Sequence, residues 1–104
     1  MISGINHITL SVANLARSFK FYCEILGFKP LCKWPHGAYL LAGKDWFCLS
    51  LNNQKIVRPA EDYTHYALSV TKDAFAALEQ RVGFLLYVAQ FFQQVLCLVG
   101  ERFF

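Results

Sequence analysis

Polar and apolar residues alternate along two short segments of the chain, and each segment contains one histidine. The first reads Asn-His-Ile-Thr-Leu-Ser-Val over residues 6–12, and the second reads Thr-His-Tyr-Ala-Leu-Ser-Val over residues 64–70. Such alternation is typical of a half-buried β-strand, whose successive side chains point to opposite faces. The copies share His, Leu, Ser and Val at the same offsets. They therefore predict an internal duplication in which His7 and His65 open equivalent strands.

A helical pattern follows the first strand. Apolar residues recur at helical spacing over residues 15–26, between a candidate N-cap at Asn14 and a helix stop at Gly27. The next segments predict strands at 28–34, 38–41 and 46–51, with turns at 35–37 and 43–45. The predicted order of strand, helix and three strands is a βαβββ module over residues 1–52, which places the chain in the α+β class.

The second half departs from this order. Residues 53–62 are polar and aperiodic and predict a linker, and a second module begins at about residue 63, with a helix that ends near residue 82. Residues 83–104 lack turn chemistry until Gly100, and their polar residues recur at helical spacing, which predicts one aberrant apolar, helical tail. Its apolar stretch is shorter than the roughly 20 residues of a membrane-spanning helix, so no membrane span is expected. The second module is therefore expected to be truncated or replaced after about residue 82.

Composition narrows the class of protein. Hydrophobic residues make up 56% of the 104 residues and charged residues 16%, which excludes a disordered chain. The net charge of +3 comes from scattered Lys and Arg without a basic run, which argues against nucleic-acid binding. The N-terminus lacks a signal-peptide pattern. The cysteines have no Cys-x-x-Cys spacing and predict reduced thiols in a cytoplasmic protein; they are Cys23, Cys32, Cys48 and Cys97.

The two strand histidines suggest a metal site. A single strand histidine most often forms a hydrogen bond or lies exposed, and this interpretation stays open for both. Two histidines at equivalent points of a duplicated fold can instead converge on one ion. Two imidazoles suit Zn, Mn, Fe, Co or Ni, and a carboxylate as third ligand would favour the harder ions among them.

Several longer motifs carry a family resemblance. Three motifs resemble the vicinal-oxygen-chelate superfamily: Gly-Ile-Asn-His-Ile-Thr-Leu-Ser-Val at 4–12, Ser-Phe-Lys-Phe-Tyr at 18–22 and Leu-Gly-Phe at 26–28. Members of this superfamily are glyoxalase-like metalloenzymes built from paired βαβββ modules. Its branch of fosfomycin-resistance glutathione transferases is resembled by Trp34, Gly-Ala-Tyr-Leu at 37–40, Trp-Phe-Cys-Leu-Ser at 46–50 and Asp-Tyr-Thr-His-Tyr-Ala at 62–67. The resemblance covers residues 1 to about 82.

This resemblance implies an antibiotic-resistance enzyme that depends on Mn²⁺, is assisted by K⁺, and adds the thiol of glutathione to the epoxide of fosfomycin as a homodimer. It implies the following roles: His7 and His65 as metal ligands, Thr9 beside the substrate and Tyr39 near the thiol as catalytic residues, and Trp46 as a substrate-binding residue. Two more candidate substrate-binding residues are Cys48, which shares the inward face of the Trp46 strand, and Tyr63 at the start of the second repeat. Cys48 also fits a core thiol, and Tyr63 also fits packing between modules.

The second half of the family pattern is missing. The family supplies a glutamate as third metal ligand and cationic groups for the phosphonate from its second module, and none of these motifs follows Arg81. The aligned place of the glutamate falls beyond Phe104, and Glu101, the only acid in the tail, is not expected to replace it. We therefore expect impaired activity, with a frameshift or rearrangement near residue 83 as the origin of the tail. The alternative is an inactive fragment that dimerises or binds a small ligand.

Overall fold

The computed structural model describes residues 1–52, 65–82 and 95–99. The chain forms two compact units, Met1–Ile56 and Val57–Phe103. In chain order the described elements are β1 (His7–Val12), α1 (Leu15–Lys20) with a π-helical turn (Phe21–Ile25), β2 (Lys29–Trp34), β3 (Gly37–Ala42), β4 (Asp45–Leu51), β5 (His65–Ser69), α2 (Lys72–Val82) and β6 (Val95–Val99).

The first unit is the predicted βαβββ module. Its four strands are ordered β1-β4-β3-β2, with β1 parallel to β4 and antiparallel pairing between the other neighbours. A parallel pair needs a long crossover, which α1 and the following strands provide, whereas short turns join the antiparallel strands. The α+β class and the module predicted from the hydrophobic pattern are confirmed.

The first helix begins where its N-cap was predicted and then changes its winding. The Asn14 side-chain oxygen accepts a hydrogen bond from the Arg17 backbone N–H at 3.0 Å, which satisfies a donor left free at the helix start. Its second half is π-helical, and the Leu26 N–H donates to the Phe21 carbonyl oxygen five residues earlier at 3.1 Å. Gly27 then adopts a φ of +77°, which only glycine reaches without strain, and ends the helix.

The core lies between this helix and one face of the sheet. Three rings meet there: Tyr22 lies 5.0 Å from Phe47 and 5.4 Å from Phe28 between centroids. The buried strand residues on the same side are Val12, Ala38, Leu40, Phe47 and Leu49. Because strand residues alternate between faces, burial of this set leaves the intervening residues on the opposite face.

The second unit repeats the start of the first, and within its described residues the strand pairing differs. The Thr71 side-chain oxygen accepts from the Ala74 N–H at 3.2 Å, so α2 is capped through a side chain as α1 is. β5 pairs antiparallel with β6. The predicted helical tail is therefore wrong at Val95–Val99, which is a strand. The β-branched valines at both ends of this segment favour an extended backbone. Its backbone hydrogen bonds are made with β5, and the spacing of polar residues in the sequence does not reveal such a pairing.

The predicted linker at 53–62 and residues 83–94 of the predicted tail lie outside the described residues. Within the described ranges, no helix is long and apolar enough to cross a membrane.

Candidate functional site

The face of the first sheet opposite α1 collects most of the predicted site residues. On β1 and β4, Thr9 pairs with Cys48, and on β4 and β3, Cys48 pairs with Tyr39. These three residues form one row across three strands. Because neighbouring strands lie about 5 Å apart, the backbones of Thr9 and Tyr39 are about 10 Å apart.

Two further rows flank this one. The same pairing aligns His7 with Trp46 and Leu41 on one side, and Ser11 with Ser50 and Gly37 on the other. We call this set the open face; its members are His7, Thr9, Ser11, Gly37, Tyr39, Leu41, Trp46, Cys48 and Ser50. Its histidine, threonine, serines, tyrosine and tryptophan are all exposed. The open face is therefore an accessible surface with one imidazole, several hydroxyls and aromatic rings.

His7 is oriented by the residue before it in the chain. Its Nδ1 lies 2.8 Å from the Asn6 side-chain oxygen. That oxygen can only accept, so the hydrogen bond favours the tautomer in which Nδ1–H donates. The Nε2 lone pair then remains available, which is the arrangement that metal-binding histidines use when a second group fixes the ring.

Aromatic rings cover the side of the open face nearest β2. Tyr39 lies 4.9 Å from Trp34 and 5.5 Å from Trp46 between ring centroids, at interplanar angles of 62° and 58°. The phenol ring is thus held between two indoles. All three rings keep between 39% and 46% of their surface exposed, so they form an apolar wall that a ligand can reach.

Cys48 shares this face by register but is only 3% exposed. The thiol therefore lies beneath its neighbours rather than at the surface. Its burial between Thr9 and Tyr39 is consistent with the alternative that Cys48 is a core thiol.

Two of the predicted site residues, His65 and Tyr63, come from the second repeat. His65 is the first residue of β5 in the second unit, and Tyr63 lies outside the described residues. Among the residues that the structure describes, no group of three or more His, Cys, Asp or Glu side chains is placed to hold a metal ion. In the first unit, His7 offers one suitably oriented imidazole.

Comparison with known proteins places this arrangement in a family. The sequence signature of the Glyoxalase/Bleomycin resistance protein/Dioxygenase superfamily matches residues 4–86. The chain belongs to this superfamily. Its first unit is one βαβββ module of the glyoxalase type, and the open face is the sheet surface of that module away from the helix.

Individual relatives of this glyoxalase-superfamily chain are thiol transferases by name. Glutathione transferase FosA from Serratia marcescens is 43% identical over 84 residues, which cover 79% of this chain and 60% of FosA. Metallothiol transferase FosB from Staphylococcus epidermidis is 42% identical over 78 residues, which cover 72% of this chain and 55% of FosB. The chain thus spans little more than half the length of the curated relatives it matches.

Solved structures agree on the glyoxalase-type fold. Fosfomycin resistance protein FosX from Mesorhizobium loti superposes with a TM-score of 0.61 at 18% identity, over 82% of this chain and 71% of that one. An integron cassette protein from the Halifax Harbour sewage outfall has the same TM-score at 23% identity, over 81% of this chain and 72% of that one. At these identities the likeness concerns the fold alone.

Two contributors to the site were not predicted from the sequence. The contact of Asn6 with His7 joins adjacent residues, and an amide beside a strand histidine was the signal that could have indicated it. Trp34 was assigned no role, although it flanks a two-residue turn opposite Gly37, where a cross-strand contact is expected.

Proposed function

We propose that this chain carries the first half of a metal-dependent thiol transferase that opens the epoxide of fosfomycin, with glutathione as the thiol. The observation that carries the proposal is the open face itself. It gathers Thr9, Tyr39, Trp46 and the oriented imidazole of His7 on adjacent strands, in a chain 43% identical over 84 residues to a glutathione transferase.

The exposed residues have distinct tasks in this reaction. The glutathione sulfur forms a bond to one epoxide carbon, the C–O bond of that carbon breaks, and the released oxygen takes a proton from water. Tyr39 can donate its hydroxyl hydrogen bond to the thiolate sulfur, which favours the ionised and nucleophilic form. Thr9 offers a hydroxyl from the opposite end of the same row, and the Trp46 indole excludes water from the apolar part of the substrate.

A metal ion, Mn²⁺ in this proposal with K⁺ as a possible activator, would stabilise the negative charge that develops on the epoxide oxygen. His7 and His65 are the proposed ligands. We expect weak binding and impaired turnover, because two imidazoles fill only part of the coordination shell of such an ion.

Titration calorimetry with Mn²⁺ tests the metal part of the proposal. The native chain is compared with His7→Ala and with the matched control His36→Ala, since His36 is exposed in the turn between β2 and β3 and is not part of the open face. We expect weak Mn²⁺ binding that only the first substitution removes. Equal loss in both variants, or binding unaffected by either, would contradict the role of His7.

Turnover is measured on the same preparations with fosfomycin, glutathione and Mn²⁺. We expect a rate far below that of full-length FosA, and loss of the remaining rate in Tyr39→Phe. A rate that matches full-length FosA would contradict the expected impairment. A residual rate that Tyr39→Phe leaves unchanged would exclude the proposed role of its hydroxyl.

A second candidate function is a non-catalytic module that associates with a second copy. β1 lies at one end of the four-stranded sheet, and exposed apolar side chains lead up to and along it: Ile2 is 96% exposed, Ile5 83% and Ile8 38%. An apolar edge strand of this kind favours pairing with another chain. Sedimentation velocity over a range of concentrations tests it: we expect dimers that Ile8→Lys weakens, and a monomer at every concentration would exclude this candidate.

A further inference from the structure

Gly37 lies at the point where a tryptophan side chain crosses β3. It is buried, opens β3, and pairs with Trp34 on β2 and with Ser50 on β4. A Cβ built on Gly37 would lie 2.5 Å from Cζ2 and 2.8 Å from Cε2 of Trp34. Such distances are well inside van der Waals contact. The Trp34 indole therefore occupies the space that any other residue at position 37 would fill.

The placement of this indole determines the surroundings of Tyr39. Because Trp34 lies over Gly37, its ring reaches the edge of the Tyr39 ring, with centroids 4.9 Å apart. Trp46 holds Tyr39 from the other side at 5.5 Å. A side chain at position 37 would have to displace the indole by about 1 Å to reach ordinary contact distance, and Tyr39 would lose its support on that side.

A side chain at position 37 would also meet the backbone of β4, and this purely structural effect must be distinguished from the effect on Trp34. The built Cβ would lie 2.8 Å from the Leu49 carbonyl oxygen, so a substitution also presses on the backbone of β4. If only the Leu49 contact mattered, a substitution of Gly37 would lower the stability of the protein. The contact between the Trp34 and Tyr39 rings would then stay unchanged. The two roles therefore differ in what Trp34 substitutions do.

We propose that Gly37 is a positioning residue for Tyr39, acting through the indole of Trp34. The inference rests on the proposed function only in that Tyr39 is the residue that meets the thiol. In physical terms, the absence of a side chain at position 37 leaves space for the Trp34 indole to lie against the Tyr39 ring. A side chain that fills this space would displace the indole and, with it, the Tyr39 ring.

The first experiment observes the indole directly. The chain contains two tryptophans, so Trp46→Phe leaves Trp34 as the sole indole emitter. In that background we expect Gly37→Ala to shift the Trp34 emission to longer wavelength and to increase its quenching by acrylamide. Adding Trp34→Phe to Gly37→Ala in the Trp46-intact chain should recover part of the thermal midpoint, because the smaller ring leaves room for the methyl group while the contact with the Leu49 carbonyl oxygen remains. Unchanged Trp34 emission in a folded Gly37→Ala protein would overturn the proposal.

The second experiment asks whether the effect reaches the ligand. Glutathione binding is measured by calorimetry, with Trp46 intact, in the native chain, Gly37→Ala, Trp34→Ala and the double variant. Loss of one aromatic contact predicts glutathione affinity about two- to tenfold weaker in each single variant. The double variant should be no weaker than Trp34→Ala alone. A full additional loss in the double variant would show that Gly37 acts through the backbone of β4 instead.

The outcomes separate this inference from the proposed function. If the native chain binds no glutathione, the thiol part of the proposed function fails, while the Trp34 emission still decides whether Gly37 places the indole. If Gly37→Ala does not fold, Trp34→Ala removes the indole without altering the backbone. Unchanged glutathione affinity in that variant, with an unchanged thermal midpoint, would overturn the inference.

Discussion

Adjacent residues of β4 are expected to differ sharply in their contribution to stability. Phe47 faces the helix, is 2% exposed, and contacts the rings of Tyr22 and Phe28 at 5.0 and 5.2 Å between centroids. Trp46 lies on the open face, is 46% exposed, and contacts Tyr39 at 5.5 Å. Substitution of each by alanine therefore tests the assignment of the two faces.

The magnitudes follow from burial. Removal of a fully buried phenylalanine side chain costs about 3–5 kcal/mol. A domain of this size has about 5–15 kcal/mol of total stability, so Phe47→Ala removes a large share of it. Trp46→Ala removes one partly exposed ring contact, worth about 0.5–1.5 kcal/mol. The predicted difference between the two variants is thus about 1.5–4.5 kcal/mol.

Urea unfolding followed by far-ultraviolet circular dichroism measures this difference without relying on tryptophan emission. With a denaturant slope of about 1–3 kcal/mol/M, we expect the midpoint to fall by roughly 1–5 M in Phe47→Ala and by roughly 0.2–1.5 M in Trp46→Ala, with the larger fall in Phe47→Ala at any one slope. The native slope in both variants would confirm that the folded state is retained. A Trp46→Ala midpoint as low as that of Phe47→Ala would refute the assignment of Trp46 to an exposed, ligand-accessible face.

Three other predictions concern individual side chains. Asn6→Ala should weaken Mn²⁺ binding about 10- to 100-fold in calorimetry, because the imidazole loses the acceptor that fixes its tautomer, whereas Asn6→Asp should keep it. Asn14→Ala should lower the free energy of unfolding by about 1 kcal/mol, and Asn14→Ser should restore it as an alternative N-cap. Burial and then the Glu24 carboxylate raise the pKa of the Cys23 thiol, so less thiolate is present near pH 8. Iodoacetamide should therefore alkylate exposed Cys32 before Cys23 in peptide mass spectrometry, and equal rates at these two cysteines would contradict this.

The hydrophobic pattern was sufficient for the elements whose residues alternate or repeat clearly. The strand at His7–Val12 and the N-cap at Asn14 follow from local chemistry, and the structure has both. The π-helical winding of Phe21–Ile25 was not predicted, because π-helical turns are rare and the spacing test assumes the 3.6-residue turn of an α-helix. The strand at Val95–Val99 was missed since its pairing with β5 is a long-range contact that residue spacing does not encode.

The roles of the candidate site residues were predicted from the family resemblance, and strand alternation adds only which face each of them occupies. Thr9, Tyr39 and Trp46 belong to one face because each sits at an alternating position of its strand. Their relative order across the sheet depends on the β1-β4-β3-β2 arrangement, which no single strand reveals. The overlap of Trp34 with Gly37 depends further on a side-chain conformation, and only the three-dimensional structure contains it.

The two repeats agree in their first elements and differ in strand pairing, and this difference bears on the chemistry. β1 and β5 each begin at a histidine and each lead to a helix capped by a side-chain oxygen. β1 then pairs in parallel with β4, which sets His7 beside Trp46. β5 pairs antiparallel with β6, which sets His65 opposite Val99. Because a shared metal centre needs ligands at fixed points of both modules, the histidine motif alone does not create one. Assembly of the site depends on the strands that pair with each histidine strand, and in the described part of the second unit that pairing brings no carboxylate position alongside His65.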